Sequence, residues 1–159
     1  VNERDAGGGP DNVGLPAGQG FSSIGNQAGT VELAKRTIRY GRSVWEDDSF
    51  RQRIAQLAID NVAIQHSGSR AAARLAKGIP MADEVNIFKL WRSELAVRQA
   101  ELGGEILGSY SQLWKGPHSI DEGIGAMAML SCRGGVIAAG TSEINRNVIA
   151  ERILGLPRL

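Results

Sequence analysis

Past Thr30, apolar residues recur every three or four positions, and no alternating apolar and polar pattern of useful length appears. A three-to-four period puts side chains on one face of a helix, whereas a half-buried strand needs a period of two, so the elements expected are helical. From Val31 to about Arg42, Val31, Ala34 and Ile38 keep the helical spacing. Asp47, Asp48 or Ser49 can cap the next helix, which runs to about Lys77 with a buried stripe of Phe50, Ile54, Leu57, Ile64, Ala71 and Leu75. Gly78 and Pro80 end it. A third helix runs from about Asp83 to Leu107 with Phe88, Trp91, Leu95, Leu102 and Ile106 on one face, and Gly103, Gly104 and Gly108 weaken its end. After a loop through Gly116 and Pro117, residues 120–132 form a shorter apolar helix, and a capped helix from Thr141 closes the chain. An all-α, antiparallel helical bundle is the economical architecture.

At 159 residues the chain is about one domain. Residues 1–29 are expected to hold the start of a first helix and a flexible loop rich in glycine and proline, and residues 30–159 the bundle. No Gly-Lys-Ser/Thr follows those glycines and no strand precedes them, so they do not read as a phosphate loop. A net charge of +1, from 18 basic and 17 acidic residues, gives no pull toward nucleic acid and points to small-molecule or protein partners. The single cysteine, Cys132, excludes an internal disulfide, suits a cytoplasmic setting and reads as core filler. No run of eighteen apolar residues and no leader pattern are visible, so no membrane span is expected. The residues three before His66 and His118 are Ala63 and Lys115, which does not fit the Glu-x-x-His pairs of a dinuclear bundle, and no metal is expected.

The most informative run is Ala139-Gly140-Thr141-Ser142-Glu143-Ile144-Asn145-Arg146-Asn147-Val148-Ile149. Gly140 breaks the preceding segment, Thr141 or Ser142 can cap a helix, and Glu143 puts negative charge in its first turn. Ile144, Val148, Ile149, Ile153 and Leu154 mark a buried face and leave Asn145, Arg146, Glu151 and Arg152 accessible, until Gly155 and Pro157 stop the helix. The run resembles the closing motif of acyl-CoA dehydrogenases, Gly-Thr-Ser-x-Ile-x-Arg, which opens the last helix beside the flavin. Arg51–Ile59 and Lys89–Leu95 resemble the second and third helices of the same C-terminal domain, and the order of helices is similar over nearly all 159 residues. Members of that family have three domains, so the chain resembles their last third.

The resemblance implies removal of two hydrogens from the alpha and beta carbons of an acyl-CoA thioester, in fatty acid or sterol metabolism. It implies FAD as cofactor, an acceptor like electron-transfer flavoprotein, and a homo- or hetero-oligomer, dimer or tetramer. Thr141 and Glu143, with Ser142 between them, would contact the flavin, and Ala139 and Gly140 would line the thioester end, where a backbone N–H can polarise the carbonyl. Arg42-Ser43-Val44-Trp45 preserves an Arg-x-x-aromatic element, with Arg42 on pyrophosphate across a subunit interface and Trp45 over adenine. The catalytic carboxylate usually precedes Gly-Thr, where Ala139 stands here. In a minority it lies in a Glu-Arg pair at the start of the domain's first helix, which Val1-Asn2-Glu3-Arg4 resembles, so Glu3 is the candidate base. The family's Gly-Gly-Asn-Gly turn is replaced by Leu107-Gly108-Ser109-Tyr110. Two other readings remain open: a catalytically silent subunit of a heteromeric dehydrogenase, and a nonenzymatic oligomerisation scaffold.

Overall fold

The computed structural model describes residues 27–80 and 82–158. Its elements are α1 (Gln27–Arg36), a hairpin of β1 (Ile38–Arg39) and β2 (Arg42–Ser43), α2 (Asp48–Leu75), α3 (Ala82–Leu107), α4 (Ile124–Ile137) and α5 (Ser142–Val148). A wider turn of π type, Ile149–Ile153, continues α5. The all-α bundle expected from periodicity is therefore the architecture, with one small β element added.

That hairpin is the first correction. Helix α1 begins at Gln27, inside the stretch expected to be loop, and ends at Arg36 rather than near Arg42. Thr37 stops it by donating its hydroxyl to Leu33 O at 2.7 Å, and Tyr40 (φ 52°) and Gly41 (φ 75°) then turn the chain back. Positive φ at both central residues matches the right-handed twist of the flanking strands, as two-residue hairpins require. Ser43 on the return strand donates to Ala34 O at 3.1 Å and Lys35 O at 2.9 Å, so the hairpin satisfies the carbonyls that the end of α1 leaves open. Two-residue strands are too short to leave an alternating signature in the sequence.

Helix α2 is capped by Asp47, whose carboxylate accepts from Ser49 N at 2.8 Å. Ion pairs then tie it to α3: Arg53 to Glu105, Asp60 to Arg98, Arg74 to Glu84. Partner numbers fall along α3 as they rise along α2, the register of an antiparallel pair. Ile54, Leu57 and Ile64 of α2 meet Leu95, Leu102, Ile106 and Leu107 of α3 in the main core, with Leu33, Ala34 and Val44 closing it from α1 and the hairpin. Leu75, expected in the stripe, is exposed on the last turn of α2.

Helix α4 runs back along α3 at close range. A Cβ on Gly104 would lie 3.3 Å from Met129 Sδ, and one on Gly125 would lie 2.7 Å from Leu107 Cδ1. Gly104 thus does not weaken the end of α3, which continues to Leu107; it lets α4 approach. The fourth helix begins four residues later than expected, after a tight turn in which Asp121 (φ 49°), Glu122 (φ 56°) and Gly123 (φ 79°) are all left-handed. Asp121 accepts from Arg36 Nη2 of α1 at 2.8 Å, largely out of solvent, which fixes this turn to the far end of the bundle.

The expectation of no membrane span meets an apolar stretch within Ile120–Ile153, where an eighteen-residue window has a mean hydropathy of 1.3 and is 17% buried. The chain bends at Ala139 and Gly140, and α4 has only 14 residues, about 21 Å at 1.5 Å per residue, against a hydrocarbon core of about 30 Å.

Candidate functional site

Between α4 and α5 the backbone makes a sharp corner. Ala138 is extended, Ala139 (φ 55°) and Gly140 (φ 89°) are left-handed, and Thr141 is extended again. Thr141 is the N-cap, accepting from Ile144 N at 3.4 Å, while its backbone carbonyl accepts from Asn145 N at 2.9 Å. The Glu143 carboxyl is held below its ordinary range, first by its own backbone N–H, then by the Thr141 hydroxyl, with Arg146 adding attraction. Ala139 and Glu143 are exposed, and Gly140, Thr141 and Ser142 half-buried, so the turn presents hydroxyls and main chain to the surface.

The side chains behind the corner differ from those expected. Ile144, assigned to the buried face, is 55% exposed, and Leu154 is exposed as well; Asn145, assigned to solvent, is only 2% exposed. Its amide donates to Gly140 O at 2.9 Å and Thr141 O at 2.8 Å, so a polar residue is buried because the turn's carbonyls need a donor. Arg146 reaches Glu94 on α3. Lys89, also on α3, donates to Gly140 O and, at 3.4 Å, to Val136 O. Sequence spacing gave no sign of Lys89, which lies 51 residues from Gly140.

The other candidates lie apart from this corner. Trp45 sits in the turn after the hairpin, packs against the core and has Lys35 Nζ 5.7 Å above its ring, so its face is not open. Arg42 is exposed and pairs with Glu46 at 3.3 Å. The exposed ring of this region is Tyr40, 95% exposed at the hairpin tip. Sequence reasoning passed over Tyr40-Gly41, although a residue followed by glycine between two short extended segments is a hairpin signal. Glu3, the candidate base, lies outside the described residues. His66 is exposed on α2, His118 is exposed in a loop, and Cys132 is half-buried with its thiol toward Met129 O. No group of three or more His, Cys, Asp or Glu placed to hold a metal occurs among the described residues.

Residues 25–154 match the domain family described as acyl-CoA dehydrogenase, C-terminal domain, and the chain belongs to that family. It is 32% identical over 149 residues to acyl-CoA dehydrogenase IpdE1 of Mycolicibacterium smegmatis, covering 88% of this chain and 34% of the relative. The chain thus spans about one third of that relative's length. Among solved structures, the ChsE4-ChsE5 complex from Mycobacterium tuberculosis aligns over 87% of this chain and 37% of the other, with a TM-score of 0.72 and 22% identity. The FAD complex of PigA aligns over 86% and 33%, with a TM-score of 0.68 and 22% identity. These likenesses show the fold.

Proposed function

We propose that the chain is the C-terminal domain of an FAD-dependent acyl-CoA dehydrogenase. The observation that carries this reading is the exposed corner Ala139–Gly140 running into the capped start of α5, in a chain of this family. Hydroxyls of Thr141 and Ser142 can donate to ribityl, phosphate or ring carbonyl oxygens, and the Glu143 carboxylate can accept from ribityl hydroxyls, so the donor set fits a flavin. Thr141, Ser142 and Glu143 would hold the isoalloxazine side, with Arg42 toward the pyrophosphate and Tyr40, rather than the covered Trp45, as the ring free to stack. FAD supplies acceptance of a hydride from the beta carbon. Ala139 and Gly140 would offer backbone to the thioester carbonyl, and Glu3 would take the alpha proton. The electrons would pass to an acceptor like electron-transfer flavoprotein, within a cytoplasmic homo- or hetero-oligomer.

One observation favours a second reading. Ala139 cannot take a proton, Glu94 on α3 is paired with Arg146, and the Glu143 carboxyl is held below its ordinary range, which makes it a weaker base. A catalytically silent subunit paired with an active one would need no base here. Anaerobic titration of the full-length protein with acyl-CoA decides between them. Flavin bleaching that falls by roughly two to four orders of magnitude in Glu3→Gln supports the active reading. Bleaching unchanged by Glu3→Gln removes Glu3 as the base, and bleaching absent until a partner chain is added supports the silent reading.

A further inference from the structure

The Gly140 carbonyl accepts from two elements far apart in sequence, the Lys89 ammonium of α3 and the Asn145 amide of α5. The amide is seated directly against the corner: a Cβ on Gly140 would lie 3.3 Å from Asn145 Nδ2. A lysine that merely capped α4 would bond last-turn carbonyls such as Val136 O, whereas the nearer acceptor here is Gly140 O, beyond the helix end. The corner also needs holding, because a non-glycine residue in the left-handed region, as Ala139 is, costs about 1–2 kcal/mol and persists only where its surroundings over-determine it.

We propose that Lys89 is a positioning residue: with Asn145 it clamps the Gly140 carbonyl, and as Asn145 also holds the Thr141 carbonyl, the pair fixes the peptide planes on either side of Thr141. That these planes face flavin and thioester rests on the proposed function; the clamp itself does not. A clamp of this kind acts on geometry and charge together, since an ammonium bonded to the carbonyl also polarises the peptide N–H on its other side.

The test uses the full-length protein and two measurements, hydrogen exchange at the Ala138, Ile144 and Asn145 amides and the Kd for FAD. Lys89→Met should speed that exchange and raise the Kd by about tenfold or more, as expected for a lost hydrogen bond to a charged group, while Lys89→Arg keeps both within about threefold. Arg133→Met, which breaks the α4–α3 pair with Glu101 away from the corner, should move neither. Unchanged exchange in Lys89→Met overturns the clamp, and faster exchange with an unchanged Kd overturns the positioning role. Faster exchange in a protein whose wild type binds no FAD leaves the clamp standing and removes the functional reading. If Lys89→Met does not fold, Asn145→Leu tests the other arm by the same two measurements.

Discussion

Thr141 serves the fold and the proposed site through one hydroxyl, and the two roles separate by magnitude. Loss of an N-cap costs about 0.5–2 kcal/mol, whereas an unmade bond to a cofactor also strands a buried polar group on the ligand side. In the full-length protein, Thr141→Ala is therefore expected to weaken flavin retention more than it lowers stability, with Thr141→Ser restoring most of both. Melting curves with and without added FAD read the difference; equal losses would leave Thr141 as a cap alone. Ala139 gives the complementary experiment. If Glu3 and Ala139 are alternative seats for one base, Ala139→Glu in the Glu3→Gln background should recover part of the rate of flavin bleaching. The cap was legible in the sequence because Gly-Thr-Ser before an apolar run has a local cause. Asn145 was not, because side-chain periodicity sorts residues by polarity and cannot register that two backbone carbonyls of a neighbouring turn require a buried donor.

Among the elements, helices α2 and α3 were readable from spacing alone, since each is long enough for its stripe to repeat many times. The ends of α1 and α4 were not, because a hairpin too short to alternate decides the first and a left-handed turn held by Arg36, distant in sequence, precedes the second. Gly123 shows how strict such a turn is. A Cβ there would sit 2.1 Å from the Trp114 carbonyl oxygen, at a φ of 79°. Gly123→Ala should cost more than about 2 kcal/mol by chemical denaturation, the sum of backbone strain and overpacking. Gly134→Ala, whose Cβ meets nothing within 4 Å on the exposed side of α4, should instead gain about 0.5–1 kcal/mol. The pairs between α2 and α3 predict a pH dependence. Glu105 is held below the usual 4.5, first by the hydrogen bond from Arg53. Its contribution is thus present above about pH 4.5 and lost as pH falls through the lowered value. Both side chains are about half exposed, so the advantage over Glu105→Gln should be below about 1 kcal/mol at neutral pH and should vanish in acid.

At the scale of the molecule, large apolar residues stand exposed on several elements, Ile59 and Leu75 on α2, Val85 on α3, Leu130 and Ile137 on α4, Ile144 on α5, and Leu154 and Leu156 beyond it. Exposed apolar surface of this extent favours association in water. Residues 1–159 alone should sediment above monomer mass and hold no stoichiometric flavin, and Leu130→Glu with Ile137→Glu should shift the chain toward monomer. A strictly monomeric wild type would count against this. The ion pair between Arg36 and Asp121 bears on how such a chain is made. The two residues stand 85 positions apart, and the guanidinium is largely out of solvent. On a ribosome adding about 5–20 residues per second, Arg36 waits roughly 4–17 s for its counter-ion to emerge. Through that interval the seam between α1 and the turn before α4 stays open, so this end of the bundle remains unclosed long after α1 itself has emerged and is a surface a chaperone would meet.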